Sequence, residues 1–140
     1  MNRIADNKPR PEVQRWSKKF WESTKQGKLS VQKCMDCQQY IFPPRLVCPN
    51  CLSENVEWVV ISGRGKVWTF AALEPAGVPR LFKDDFPYVP ALIELEEGVR
   101  MASHVIQCDP TDVYIGMPVE VVFEKLDDEF TLPKFKPLIK

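Results

Sequence analysis

Apolar positions along this chain change their period at Gly27, and the change marks the first structural boundary. From Pro11 to Gly27 they recur at helical spacing. Val13, Trp16, Phe20 and Trp21 fall on one stripe, while Lys18, Lys19 and Lys25 lie largely elsewhere. Pro11 suits a first helical turn and Gly27 a stop, so a helix is expected over 11–27. Two tryptophans and a phenylalanine are a heavy apolar load for such a helix. They either cover the core or dock onto another protein, since interface cores favour aromatics.

Beyond Gly27 the period is two. Leu29-Ser30-Val31-Gln32-Lys33 alternates as a strand. Tyr40, Ile41 and Phe42 precede Pro43-Pro44, which fixes an extended turn. Val56 to Ile61 is rich in β-branched and aromatic residues and reads as another strand. Strands are also expected over Gly65 to Leu73, Tyr88 to Leu95 and Val99 to Ile106, the last two joined as a hairpin at Glu97-Gly98. Asp109-Pro110 opens a turn, and a short bridge, helical or extended, is expected over Asp112 to Tyr114. Gly116 then leads into a last long strand, Val119 to Glu124. Glu74 to Pro87, with three prolines, reads as an irregular loop of the length that often serves function. Several strands in so short a stretch suggest a closed barrel, because closure removes exposed edges.

Four cysteines carry the chemistry. Cys34 and Cys37 form one Cys-x-x-Cys pair and Cys48 and Cys51 a second. A two-residue gap lets two thiolates turn toward one point, and two such knuckles make a tetrahedral sulfur cage. Zn²⁺ fits four soft thiolates best. A cage with four protein ligands has no position for substrate, so the expected metal is structural. Two disulfides are the bland alternative, but Met1 to Arg10 is polar and charged, with no apolar stretch of a secretory signal. Iron in the cage, as in a rubredoxin, is a further alternative.

The expected architecture is therefore mainly β with an N-terminal helix. A helical arm (1–28) precedes a rubredoxin-like zinc ribbon (29–62) and a five-stranded OB-fold barrel (63–140). A chain of 140 residues with 44% hydrophobic content buries one core or two small ones. No apolar run approaches the ~20 residues that cross a bilayer, so a soluble, cytoplasmic protein is expected. The net charge is zero but lopsided. Met1 to Lys33 holds nine Lys/Arg against three Asp/Glu, whereas Gly65 to Lys140 holds eight against thirteen. Zinc ribbons and OB barrels both bind nucleic acid, which makes a nucleic-acid module the alternative function. A barrel with an acidic excess argues against it.

The ordered motifs resemble a known family, the zinc-ribbon plus OB-fold proteins associated with acyl-CoA enzymes, long catalogued as a domain of unknown function. The resemblance runs through Phe20-Trp21, Gly27-Lys28-Leu29, Cys34-x-x-Cys37 and Phe42-Pro43-Pro44-Arg45 to Cys48-Pro49-x-Cys51. It continues through Gly65-Lys66-Val67, Pro87-Tyr88, Cys108-Asp109-Pro110 and Ile115-Gly116-Met117-Pro118-Val119. One departure is Gln38, where the family often has glycine. The resemblance implies a non-catalytic accessory subunit, similar to the small subunit of a two-component thiolase such as the one acting on benzoylsuccinyl-CoA. It implies a hetero-oligomer with a thiolase-like enzyme subunit, and CoA or acyl-CoA as a shared ligand. Candidate cations for the CoA phosphates are Arg45, Arg64 and Lys66.

Residue chemistry agrees that the chain is no catalyst by itself. Thiolysis needs a Cys activated by a base. Once four thiols are committed to metal, Cys108 and His104 remain. Four residues apart on one strand, they stand ~13 Å from each other. Gly63-Arg64-Gly65 lacks a third glycine and enters a strand, so it is no dinucleotide fingerprint. It reads as the turn linking ribbon to barrel.

Overall fold

The computed structural model describes residues 11–72 and 89–138. The loop expected over Glu74 to Pro87 lies outside them, as do Leu73, Tyr88 and Met1 to Arg10. Among the described residues one α-helix, α1 (Lys18–Lys25), precedes eight strands: β1 (Ser30–Cys34), β2 (Tyr40–Ile41), β3 (Val56–Val60), β4 (Arg64–Phe70), β5 (Pro90–Leu95), β6 (Arg100–His104), β7 (Pro118–Lys125) and β8 (Thr131–Pro137). They form an antiparallel three-stranded sheet, β2-β1-β3, and a five-stranded sheet, β6-β5-β4-β7-β8. The larger sheet curls until Val105, just past β6, bridges Phe135 on β8. Ile106 donates its amide to the Phe135 carbonyl at 2.8 Å. The result is the curled five-stranded sheet of an OB-fold, preceded by a ribbon, mainly β as expected.

Helix α1 is shorter than its pattern. Ser17 and Gln14 satisfy each other, the Gln14 amide donating to Ser17 Oγ at 2.9 Å, and this local ring replaces the first helical turns. Val13 and Trp16 thus lie before the helix and are exposed. The stop falls where Gly27 predicts it. Gly27 has φ +73°, its amide reaches the Thr24 carbonyl, and the Lys28 amide reaches the Ser23 carbonyl. These two bonds are a Schellman cap, which requires a left-handed residue at that point.

One core runs through helix, ribbon and barrel. Phe20, Leu29 and Val31 join Val67, Ile93, Met101, Val119 and Phe135 in a single buried cluster. Two glycines allow the ribbon to enter the barrel. Gly63 has φ +77°, and a Cβ there collides with the Val121 side chain; a Cβ on Gly65 presses into the Glu94 carbonyl across the β4–β5 ladder. The Gly-Arg-Gly sequence is thus explained by close backbone approach.

Strand β8 is absent from the sequence reading. Pro133 and Pro137 disguise it, yet it pairs along its whole length with β7, from Val119 opposite Pro137 to Lys125 opposite Thr131. Proline is tolerated there because β8 hydrogen-bonds through only one side for most of its length. Asp109 caps a single 3-10 turn over Pro110–Asp112, its carboxylate accepting from the Thr111 amide at 2.9 Å.

Candidate metal centre

Each cysteine pair sits at the start of a tight turn, and the two turns repeat one design. The Gln38 amide donates to the Cys34 carbonyl and the Leu52 amide to the Cys48 carbonyl, both at 2.8 Å. The Cys34 amide reaches the Gln39 carbonyl and the Cys48 amide the Ser53 carbonyl, both at 2.9 Å. Within each turn an amide also points at sulfur: Cys37 N–H toward Cys34 Sγ at 3.5 Å, and Asn50 N–H toward Cys48 Sγ at 3.4 Å. Such bonds stabilise sulfur as thiolate.

The four sulfurs converge, all lying within 4.8 Å of one another. Cys34 Sγ stands 3.6 Å from Cys51 Sγ, and Cys37 Sγ 3.7 Å from Cys48 Sγ. A tetrahedron with metal–sulfur bonds of about 2.3 Å has edges of about 3.8 Å. The residues therefore fit a metal ion, and the four cysteines are positioned to bind one. The same spacing is far too long for disulfides. Electrostatics agrees. The Gln39 backbone amide and then Asn50 hold the Cys37 thiol down at about 6. The Ser53 amide favours the Cys51 thiolate, but the neighbouring Cys34 thiol and burial outweigh it and push Cys51 up to about 12. Four crowded thiols do not all ionise without a cation among them.

A hydrogen-bonded latch ties the two turns together. Ser53 Oγ donates to Asp36, and Asn55 Nδ2 reaches the same carboxylate at 3.4 Å. These bonds hold the Asp36 carboxyl below the usual carboxylate range, the Ser53 bond being the larger cause.

The repeated turn also explains Gln38. It has φ +66°, and its counterpart Leu52 has φ +64°. Left-handed backbone costs a residue with a Cβ about 1–2 kcal/mol, which glycine avoids. Glycine gives back about 0.5–1 kcal/mol through unfolded-chain entropy. Leu52 is 74% exposed and loses little packing on truncation. Leu52→Gly is therefore expected to stabilise the chain by about 0.5 kcal/mol, measured as the urea midpoint at fixed metal concentration. A loss of stability there would show that the leucine packs in solution.

The three candidate cations occupy two places. Arg45 follows Pro43-Pro44 in the ribbon, and the buried Gln32 side chain grips its backbone. The Arg45 amide donates to Gln32 Oε1 at 2.6 Å, and Gln32 Nε2 donates to the Arg45 carbonyl at 2.8 Å. Arg64 and Lys66 share one face of β4 and are each already paired, Arg64 with Glu96 at 3.3 Å and Lys66 with Glu94 at 3.7 Å. Elsewhere on the barrel Arg100 pairs with Glu94, Lys136 with Glu120, and the buried Lys134 with Glu124. Among the described residues, the barrel therefore presents cations interleaved with carboxylates, not the basic groove that single-stranded nucleic acid requires.

His104 ends β6, while Cys108 lies beyond Gln107 in the turn before Asp109. Burial, then Asp112 and Asp109, push the Cys108 thiol above its ordinary value, opposite to what a nucleophile needs. The helix aromatics turn inward instead of out. Phe20 is buried against Phe42 with ring centres 5.6 Å apart, and Trp21 meets Phe130 edge-on at 5.5 Å. Phe20, Trp21 and Phe42 wall a concavity of about 240 Å³ whose other lining residues include His104, Pro133 and Lys134. A second, of about 550 Å³, lies over Phe70, Leu92 and Ala102. Neither was legible from sequence, since each needs residues from distant strands.

Among the described residues, no helix is long and apolar enough to cross a membrane.

The chain matches two adjoining family models. One, described as the ChsH2 rubredoxin-like zinc ribbon domain, covers residues 21–57, and the other, the ChsH2 C-terminal OB-fold domain, covers 58–124. A DUF35 domain-containing scaffold protein of Methanocaldococcus jannaschii is 42% identical over 69% of this chain and 68% of its own length. A probable enoyl-CoA hydratase alpha subunit of Thermomonospora curvata is 34% identical over 94% of this chain, which spans 40% of that subunit. The benzoylsuccinyl-CoA thiolase subunit BbsA of Thauera aromatica is 32% identical over 55% of this chain and 51% of its own. A solved chain of the Ltp2-ChsH2(DUF35) aldolase superposes with a TM-score of 0.77 at 35% identity, covering 91% of this chain and 98% of that one.

Proposed function

Because this chain belongs to the DUF35 scaffold family, built of a ChsH2-type zinc ribbon and OB-fold, we propose that it is a non-catalytic, zinc-binding subunit of a thiolase- or aldolase-like acyl-CoA enzyme. Cys34, Cys37, Cys48 and Cys51 would hold Zn²⁺, which supplies cross-linking between the two turns and no open coordination position. The observation that carries the reading is this closed sulfur cage in a chain whose remaining thiol, Cys108, is buried toward its protonated form. A relative of nearly the same extent solved as part of an aldolase, and another that is a thiolase subunit, support an enzyme as the partner. The partner then supplies the catalytic groups.

CoA or its acyl ester is the shared ligand in this reading, with Arg45, Arg64 and Lys66 as the cations for its phosphates. Gln32 fixes the backbone from which Arg45 projects. The exposed pairings of Arg64 and Lys66 are weak enough, at roughly 0–1 kcal/mol, to exchange a carboxylate for a phosphate.

The test is CoA-dependent turnover by each component alone and by both together, with the thiolase- or aldolase-type subunits of the source organism as partners. This chain alone is expected to be inactive, and the partner impaired without it. Full turnover by the isolated partner, unchanged on adding this chain, would sink the proposal, as would thiolysis by this chain alone that disappears in Cys108→Ala.

A further inference from the structure

Burial of Phe20 and half-burial of Trp21 take the helical half of the stripe away from a partner and leave Val13 and Trp16 exposed ahead of the helix. The other large aromatics exposed among the described residues, Trp68 and Tyr114, lie on the barrel. Trp68 is the extra residue of a bulge in β4, where the β4–β5 register shifts between Val67 and Thr69. A bulge re-aims a side chain out of the pleat, and Trp68 is 43% exposed. The Arg100 guanidinium lies over its ring at 4.0 Å from the centroid, which holds both side chains in place. The segment after the 3-10 turn runs alongside. The Gly116 amide donates to the Val67 carbonyl at 2.7 Å, and the Val67 amide to the Met117 carbonyl at 3.0 Å. Gly116 shares a concavity with Lys66 and Glu94, and Tyr114 and Ile115, 56% and 69% exposed, immediately precede it in the chain.

We propose that Trp68, Arg100, Tyr114 and Ile115 form the face that docks the acyl-CoA enzyme subunit. The inference rests on the function proposed above and adds where the partner sits. The composition is that of an interface centre, where Trp, Tyr and Arg carry most of the energy and pre-ordered side chains lose little entropy. Charge selects the class of partner. Arg100 and Lys66 converge on Glu94, at 3.4 and 3.7 Å, so one carboxylate answers the two cations beside Trp68 and a single positive charge is left over. An aromatic face with one surplus cation suits a protein surface and falls short of the several cations that nucleic acid or an anionic membrane needs, and a relative matched over 98% of its length is solved as part of an aldolase, which favours the enzyme subunit as the occupant.

The test co-expresses the full chain with the thiolase- and aldolase-type subunits of the source organism and measures complex formation by size exclusion and interferometry. The variants are Trp68→Ala and Ile115→Ser, with Leu46→Ser, an exposed ribbon leucine, as control. Thermal unfolding of each variant alone checks the fold, and the two-sided readout is partner affinity at unchanged stability. At least tenfold weaker binding for Trp68→Ala and for Ile115→Ser, with the control unchanged, is the expected result. A complex with wild-type affinity in both variants overturns this face and leaves the proposed function standing. No complex with the wild-type chain overturns both. A homodimer of the chain alone that Trp68→Ala dissolves assigns the face to a second copy and overturns the enzyme subunit as its occupant.

Discussion

Replacing any one of Cys34, Cys37, Cys48 and Cys51 by serine is expected to release the metal and unfold the ribbon. With the sulfurs within 4.8 Å of one another, removal of one leaves three thiols crowded around a weakened site. Structural zinc contributes about 10 kcal/mol or more to small modules, more than Ile41 and the partly buried Val56, which pack against the cage cysteines, supply by themselves. The damage does not stop at the ribbon. Leu29 and Val31 belong to the same core as Ile93 and Val119, so the barrel loses one wall. Metal analysis of the purified wild type should give one zinc per chain. Circular dichroism should show loss of β signal on chelation, reached with less chelator at acid pH because protons compete for the thiolates. Iron at the site, or a well-folded chain without metal, would overturn the assignment.

The second large effect is expected at Phe135. It is fully buried, it lies on β8, and its backbone joins β8 to the residues after β6. Phe135→Ala removes a ring from the centre of the core and leaves a cavity that the curled sheet has little freedom to close. Such truncations cost about 3–5 kcal/mol, which corresponds to a melting temperature lower by about 10 °C for a chain of this size. Lys125→Ala, exposed on the neighbouring β7, is the control and should stay within about 0.5 kcal/mol. Calorimetry that finds the two variants alike would mean that β8 is not docked in solution.

The two predictions differ in how they became visible. The cysteine pairs are legible residue by residue, because two thiolates separated by two residues meet at one point whatever the rest of the chain does. Gly27 and the Glu97-Gly98 turn are legible for the same reason: each reports a backbone conformation that glycine alone adopts cheaply, at φ +73° and +97°. Strand β8 is the opposite case. Its prolines and lysines obscure the alternation, and its contact with the residues after β6 exists only once the sheet has curled. The long helix expected over 11–27 failed at Ser17, where a side chain bonded to Gln14 outcompetes the helical turn that the apolar spacing favours.

Sequence by itself therefore determined the ribbon cage, most strand positions and the family, all carried by local spacing or by ordered short motifs. Tertiary structure decided what faces outward. It buried Phe20, left Trp68 and Ile115 exposed, set Arg64 and Lys66 against Glu96 and Glu94, and placed Gln32 on the Arg45 backbone. The physical reason is that burial and charge pairing depend on residues tens of positions apart. The sheet must curl and dock on the ribbon before a side chain acquires the neighbours that fix its role.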